Sequence, residues 1–172
     1  DGLLNGFGAA GSSLVHTTAR EFGPAQRAMV RHDPAVAMRL LREGGYRGGS
    51  VTITTNGQFA PMQDTAVLIQ AMLQAIGMNV RVETLEFGAQ LQRYFRGDYQ
   101  LMIWNVTPYL DPVFTFDRFI GLPDGPADKV WRSTAANTLL SRLFNEARLD
   151  ARQPIFDELE SLFRAEAPLA VW

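Results

Sequence analysis

A run of β-branched residues in the middle of the chain places the strongest constraint on the fold. Residues 50–55 (Ser-Val-Thr-Ile-Thr-Thr) favour an extended strand, and Asn56-Gly57 ends it with a turn. Apolar side chains then recur at helical spacing over residues 62–76, and Gly77 stands where a helix commonly ends. A strand therefore leads into a largely buried helix.

The same alternation continues beyond this helix. Residues 79–85 alternate apolar and polar side chains, a helix-like segment covers 89–96, and residues 101–104 form an apolar strand. Strands that alternate with helices of this length pack as right-handed crossover units on one sheet. The sequence therefore predicts an α/β fold, with a mostly parallel or mixed sheet and flanking helices.

The length of the chain suits one domain, and we expect residues 1–172 to form it. Residues 1–15 show no sustained hydrophobic period, and the chain stays ambiguous after Pro24, so residues 1–32 are expected to be an irregular lead-in. Asp33-Pro34, a capping residue followed by proline, starts a helix and opens a βαβ core over residues 33–105. Residues 106–172 are expected to form a loop followed by C-terminal helices.

Two amphipathic helices are predicted in this last part, at residues 135–149 and 152–166. Asp150 is placed to cap the second of them. Neighbouring acidic residues could serve acid–base catalysis, but a solvated helix face explains them more simply. Three acidic side chains are assigned to that exposed face: Asp157, Glu158 and Glu160.

Composition excludes several classes of function. Sixteen Lys and Arg against eighteen Asp and Glu give a net charge of −2, so no positive field would attract nucleic acid. The absence of cysteine removes disulfides, thiolate metal sites and cysteine nucleophiles. No apolar run approaches the roughly 20 residues that cross a bilayer as a helix.

Patterns for catalysis and metal binding are also missing from the sequence. His16 and His32 stand apart from each other and from any ligand motif. The serines lack a Gly-x-Ser-x-Gly turn, and the glycines precede a strand, whereas a phosphate loop would open a helix. We therefore expect that the protein binds no metal or cofactor and is not an enzyme. A small hydrolase is the least favoured alternative.

The candidate binding residues follow the predicted strands. In parallel α/β sheets, ligands bind beyond the carboxyl ends of the strands, where loop side chains and helix starts converge. The side chains at these ends are Asn56, Gln58 and Phe59 after the first strand, Glu86 and Phe87 after the second, and Trp104, Asn105, Thr107, Tyr109 and Asp111 after the third. This mixture of an indole, amides, hydroxyls and a carboxylate suits a small polar solute.

Two of these residues have simpler interpretations. Trp104 could belong to the core, and Asp111-Pro112 could start a helix over residues 114–119 with Asp111 as its cap. The sequence alone leaves both alternatives open.

From Asp33 onward, the chain resembles the family 5 extracellular solute-binding proteins, the oligopeptide, dipeptide and nickel binding proteins of ABC transporters. The segments that carry the resemblance occur in the family's order: residues 33–46, 51–56, 70–73 with 76–80, 97–101, Asp111-Pro112, 150–153, Phe156, Leu159 and 166–168. About 140 residues are covered.

The resemblance implies one lobe of a two-lobed protein with a periplasmic-binding-protein type II fold. Such a protein closes around its solute and delivers it to ABC permease subunits, so this lobe would need the missing N-terminal lobe as a partner. Its location would be periplasmic, or extracellular and tethered to the membrane. An alternative is the solute-sensing domain of a regulator.

The resemblance is incomplete where relatives hold a peptide. Peptide-binding members carry an aspartate a few residues after this tryptophan, which anchors the amino group of the peptide. Here Thr107 and Pro108 stand in that stretch. An ammonium buried without a counter-charge costs several kcal/mol, which argues against an ordinary peptide amino terminus in the usual pose. Either Glu86 or the missing lobe supplies the charge, or the solute is a sugar, a modified peptide, an opine or a metal chelate.

Overall fold

The computed structural model describes residues 11–171, which divide into two compact units. The sheet unit contains residues 31–105, and the helical unit combines residues 11–30 with 106–171. The division falls beside the predicted end of the βαβ core at residue 105. That residues 1–172 act as a single domain stays a prediction, and the part of the irregular lead-in before residue 11 lies outside the described residues.

Twelve helices and strands are formed by the described residues. In chain order they are α1 (Pro24–Arg27), α2 (Pro34–Glu43), β1 (Ser50–Asn56), α3 (Ala60–Ala75), β2 (Asn79–Leu85), α4 (Phe87–Arg96), β3 (Leu101–Met102), α5 (Val113–Phe119), β4 (Ile120–Gly121), β5 (Trp131–Arg132), α6 (Thr134–Asn145) and α7 (Leu149–Glu166).

The sheet unit is built on three parallel strands in the order β2-β1-β3. The central strand β1 pairs along its whole length with β2, from Ser50 beside Asn79 to Asn56 beside Leu85. It pairs with β3 only at Ile53 and Thr54. The predicted α/β class, with a parallel sheet and flanking helices, is confirmed.

The helix ends follow the expected local chemistry. Asp33 caps α2, since its Oδ1 accepts the Val36 N–H at 3.0 Å. Gly77, after α3, has a φ of 91°, a left-handed conformation that costs glycine no steric strain. These residues fix where the chain turns between the helices and strands of the sheet unit.

One face of the sheet packs beneath α3. Ile53 is completely buried there and clusters with four other buried side chains, Met62, Ala66, Val80 and Ile103. Val51 and Val82, on the same face of β1 and β2, add to this cluster. The hydrophobic cluster under α3 therefore holds the strands that carry the candidate binding residues.

The helical unit has its own core, assembled from two distant parts of the chain. Val15 of the lead-in packs with residues of α5, β4, β5, α6 and α7, among them Phe116, Trp131 and Phe156. Further long-range bonds tie the lead-in to α7, since the Gln26 side chain donates to the Asp157 carboxylate at 3.2 Å and Gln153 donates to the Glu21 carbonyl at 3.2 Å. Residues 11–30 are thus an integral part of this unit.

The structure corrects several sequence-based expectations for the helical unit. Glu160 does not lie on a solvated face, because only 1% of it is exposed and its carboxylate accepts from Ser13 Oγ at 2.7 Å and from Arg164. The last helix begins at Leu149, which places Asp150 inside its first turn and leaves Arg148 at the N-cap.

The segment predicted to be only a loop contains two short strands. Ile120 and Gly121 of β4 pair in parallel with Trp131 and Arg132 of β5. The helix that follows these strands, α6, begins at Thr134 and is capped by Ser133, whose Oγ accepts the Ala136 N–H at 3.3 Å. No helix among residues 11–171 is long and apolar enough to cross a membrane.

Candidate functional site

The end of β1 is held by a buried side chain. Asn56 has no exposed surface, although we expected its side chain among the ligand contacts at an exposed strand end. Its Oδ1 accepts the backbone N–H groups of Gln58 at 3.1 Å and Phe59 at 3.2 Å, and its Nδ2 donates to Gln90. Asn56 therefore shapes the turn and presents the next two residues, Gln58 and Phe59, which are exposed.

Gln90 of α4 connects this turn to the end of β3. Its Oε1 accepts from Asn56 Nδ2 at 2.6 Å, and its Nε2 donates to the Ile103 carbonyl oxygen at 2.9 Å. Gln90 is itself completely buried. Local sequence patterns do not mark this residue, because its two partners come from separate strands.

Trp104 follows directly after Ile103 and is half-buried. Its ring stacks on Tyr94 of α4, with centroids 4.4 Å apart and an angle of 11° between the planes. Tyr94 is 3% exposed and also lies parallel to Tyr99, with centroids 6.5 Å apart. Trp104 therefore lies outside the hydrophobic cluster under α3, with one face supported by Tyr94 and part of its surface accessible.

An aromatic pair adjoins the turn after β1. Phe59 is 44% exposed and meets the half-buried Phe87 edge to face, with ring centroids 5.7 Å apart. Glu86, an exposed residue, occupies the N-cap of α4 and forms no capping bond with its side chain. The sheet unit thus groups aromatic surface, an exposed amide at Gln58 and a carboxylate at its strand ends.

The predicted binding segment after β3 crosses from one unit to the other. Asn105 is exposed at the end of the sheet unit, while Thr107 and Tyr109 are exposed in the helical unit. The Tyr109 ring contacts Phe114, with centroids 6.1 Å apart, and Phe114 contacts Phe144 at 5.9 Å. Thr107 and Tyr109 are therefore both exposed, and the Tyr109 ring belongs to this aromatic cluster.

Asp111 is committed to contacts inside the helical unit. Its Oδ1 accepts the Val113 N–H at 3.0 Å, at the start of α5, and Arg152 donates to the same oxygen at 2.7 Å. The carboxylate therefore neutralises an arginine whose side chain is only 12% exposed. This supports the alternative interpretation of Asp111 as a helix-start residue over a direct contact with solute.

A polar groove lies on the sheet unit away from the strand ends. It is lined by side chains of β1, β2 and α4 and by the turn before β3: Thr52, Thr54, Arg81, Glu83, Arg93, Gly97, Asp98, Tyr99 and Gln100. Arg93 pairs with Glu83 through two hydrogen bonds of 2.6 and 3.3 Å, and Arg81 donates to Thr52. The groove lies beside the start of β3, so it is separate from the predicted site.

A parallel sheet with polar and aromatic side chains beyond its carboxyl ends is the arrangement in which α/β folds commonly bind ligands. The chain belongs to the bacterial extracellular solute-binding proteins, family 5, whose "Middle" model matches residues 1–125. The expected family is thereby confirmed. Its members bind solutes and are not enzymes.

Solved structures share the fold. The periplasmic binding protein AgaA of A. tumefaciens R10, in complex with agropinic acid, superposes with a TM-score of 0.84 and 21% identity, over 98% of this chain and 36% of AgaA. DppA of Helicobacter pylori, in complex with the peptide STSA, superposes with a TM-score of 0.76 and 22% identity, over 91% of this chain and 31% of DppA. The Escherichia coli murein tripeptide binding protein MppA superposes with a TM-score of 0.78 and 18% identity, over 93% of this chain and 33% of MppA.

These neighbours are type II periplasmic binding proteins, which confirms the fold expected from the resemblance. The chain spans about a third of their length.

Proposed function

We propose that the protein carrying this chain is the solute-binding component of an ABC importer, and that this chain supplies one ligand-binding lobe. The single observation that carries the proposal is the Trp104 indole, which is supported on one face by Tyr94 and is partly accessible at the end of β3. Family membership supports the same function. The partners would be ABC permease subunits, and the location would be periplasmic, or extracellular and membrane-tethered.

Solute capture would depend on both lobes of such a protein. A solute that contacts this lobe and the missing N-terminal lobe only when they meet stabilises the closed state, because it binds that state more tightly than the open one. The sheet unit would contribute contacts from Gln58, Phe59, Trp104 and Asn105, and the contacts predicted for the helical unit, taken by itself, are Thr107 and Tyr109. Asn56 would act indirectly, by fixing the turn that presents Gln58 and Phe59.

The charges favour a solute without a free ammonium group at this segment. Residues 104–110 contain no acidic side chain, and the Asp111 carboxylate already forms an ion pair with Arg152. An ammonium placed there would gain no unpaired counter-charge from residues 104–111, so Glu86 of the sheet unit or the other lobe would have to supply it. A modified peptide, or a small polar acid of the kind bound by AgaA, therefore fits this lobe better than an ordinary peptide amino terminus.

Isothermal titration calorimetry on the complete protein tests this proposal with three probes: a tripeptide, the same tripeptide acetylated at its amino group, and agropinic acid. We expect the acetylated peptide or agropinic acid to bind more tightly than the free tripeptide. Tight binding of the free tripeptide alone would contradict the charge argument, and binding of no solute in a broader library would contradict the transport function.

Trp104→Ala identifies the surface that binds the solute. Loss of a stacking anchor should weaken binding by about 1–3 kcal/mol, which is roughly five- to 150-fold. Phe95→Ala is the matched control, because Phe95 is 53% exposed and contacts the same Tyr94 ring, with centroids 5.5 Å apart, from α4. An equal loss of affinity in both variants would show that Tyr94 packing matters and that Trp104 makes no solute contact.

A further inference from the structure

The side chain of Gln90 is buried at the point where α4 crosses the ends of β1 and β3. It has no exposed surface, and both ends of its amide are used. The oxygen accepts from Asn56 at 2.6 Å, and the nitrogen donates to the Ile103 carbonyl at 2.9 Å. A primary amide supplies one acceptor and one donor side by side at neutral pH, which is what these two partners require.

The bonds form a continuous chain from one strand end to the other. Asn56, which donates to Gln90, also accepts the N–H groups of Gln58 and Phe59. Ile103, whose carbonyl accepts from Gln90, immediately precedes Trp104. Successive buried hydrogen bonds polarise one another, and a buried donor or acceptor left without its partner would be costly. This series of hydrogen bonds therefore resists distortion.

We propose that Gln90 is a positioning residue that fixes the distance between the Phe59 turn and Trp104, and thereby sets the shape of the solute-binding surface. The positioning role stands on the hydrogen bonds alone. Its effect on affinity rests on the proposed function. Gln90 itself makes no contact with the solute, because no part of it is accessible.

The first test measures the position of Trp104 without any solute. The complete protein is labelled with 5-fluorotryptophan, and the ¹⁹F resonance of Trp104 is identified from its loss in Trp104→Phe. Because the Trp104 ring lies 4.4 Å from the Tyr94 ring, its resonance is sensitive to small displacements of this stack. Gln90→Leu should shift the resonance of Trp104 and leave that of Trp131, in the other unit, unchanged.

Gln70→Leu is the matched control. Gln70 of α3 donates its amide to the Val80 carbonyl at 3.0 Å, and Gln74 donates to the same oxygen at 3.0 Å. This variant removes an amide-to-carbonyl bond in the same unit without touching the chain of bonds through Gln90. An unshifted Trp104 resonance in Gln90→Leu, or an equal shift in Gln70→Leu, would overturn the proposal.

Gln90→Glu keeps the test decisive if the leucine variant does not fold. An ionised carboxylate would accept from Asn56 but repel the Ile103 carbonyl, whereas a protonated one donates to that carbonyl and restores both bonds. Strands β1 and β3 carry no ionisable side chain, the nearest carboxylate of α3, Asp64, is exposed, and on α4 itself Glu86, Arg93 and Tyr94 lie one turn away.

The Trp104 resonance of Gln90→Glu should therefore return towards the wild-type position as the pH falls, while the wild-type resonance stays constant. A displaced resonance that does not respond to pH would contradict the assigned hydrogen bonds.

The second test measures affinity, with whichever of the three calorimetric probes binds the wild-type protein. Gln90→Leu removes both hydrogen bonds of the amide and should raise the Kd at least about tenfold, whereas Gln70→Leu should leave it unchanged. Equal Kd values for wild type and Gln90→Leu would refute control of the binding surface. If no solute of the broader library binds the wild type, the proposed function fails, and the resonance of Trp104 still decides the positioning role.

Discussion

The ion pair between Asp111 and Arg152 offers a direct test of how this chain uses its charges. Its N–O distance is 2.7 Å, and the side chains are 33% and 12% exposed, respectively. A second pair, between Arg148 and Asp150, is as short at 2.6 Å but has side chains 74% and 72% exposed. The two pairs differ mainly in burial, so neutralising each aspartate separates the effect of burial from that of distance.

Asp111→Asn should destabilise the helical unit by about 2 kcal/mol. This value lies between the roughly 0–1 kcal/mol that breaking an exposed ion pair costs and the about 3–5 kcal/mol that breaking a buried one costs. Asparagine retains an acceptor for the Val113 N–H but leaves Arg152 without its counter-charge. The guanidinium would remain against the Phe156 ring, 5.5 Å from the ring centroid. Asp150→Asn should destabilise the protein much less than Asp111→Asn, because solvent already screens that pair.

Urea denaturation of both variants, followed by circular dichroism, measures the free energy of unfolding. Calorimetry with the probe that binds wild type then shows whether solute affinity changes. An equal effect of the two substitutions on stability would refute the argument from burial. A loss of affinity in Asp111→Asn without a loss of stability would return Asp111 to the ligand contacts.

Three further outcomes are expected. Ile53→Ala should lower stability by about 3 kcal/mol and Ile53→Val by about 1 kcal/mol in urea denaturation, since Ile53 is fully buried, and a loss below about 1 kcal/mol for alanine would contradict that packing. Gly77→Val should lower the Tm through the strain of a positive φ, although open space surrounds the position; an unchanged Tm would refute that geometry. Burial raises the pKa of Glu160, and the nearby Asp157 raises it further, although Ser13 and Arg164 act in the opposite direction. Glu160 therefore takes up a proton more readily in the folded state than in the unfolded state. The stability of wild type relative to Glu160→Gln should therefore be highest below the ordinary pKa of Glu160 and fall as the pH rises through the raised one; a difference that grows with pH would contradict this sign.

Local sequence patterns were sufficient to predict the strands of the sheet unit. The β-branched run predicted at 50–55 is β1, Ser50–Asn56, and the alternating residues 79–85 are β2. Both depend on side-chain periodicity over consecutive residues, which the sequence displays directly. The third strand, predicted at 101–104, pairs only over Leu101–Met102, beyond which Trp104 stacks on Tyr94.

Contacts between distant residues account for the expectations that the structure changes. Asn56 is buried because Gln90, 34 positions later, accepts from its amide. Glu160 is buried because Ser13, 147 positions earlier, donates to its carboxylate. Neither partner is marked by local spacing. The sequence therefore predicted that the side chains after β1, Gln58 and Phe59, are exposed, but not that the Asn56 and Gln90 amides behind them are buried.

The composition of the helical unit from two separated stretches has a consequence for biosynthesis. The Gln26 side chain donates to the Phe156 carbonyl, and Gln26 is synthesised 130 residues earlier than Phe156. At about 5–20 residues per second, the two residues are made roughly 7–26 s apart. The continuous stretch 31–105 can be completed within that interval. We therefore expect residues 11–30 to remain without their α7 partners while the sheet unit folds. These early residues of the helical unit would then reach their final contacts after residues that are synthesised later.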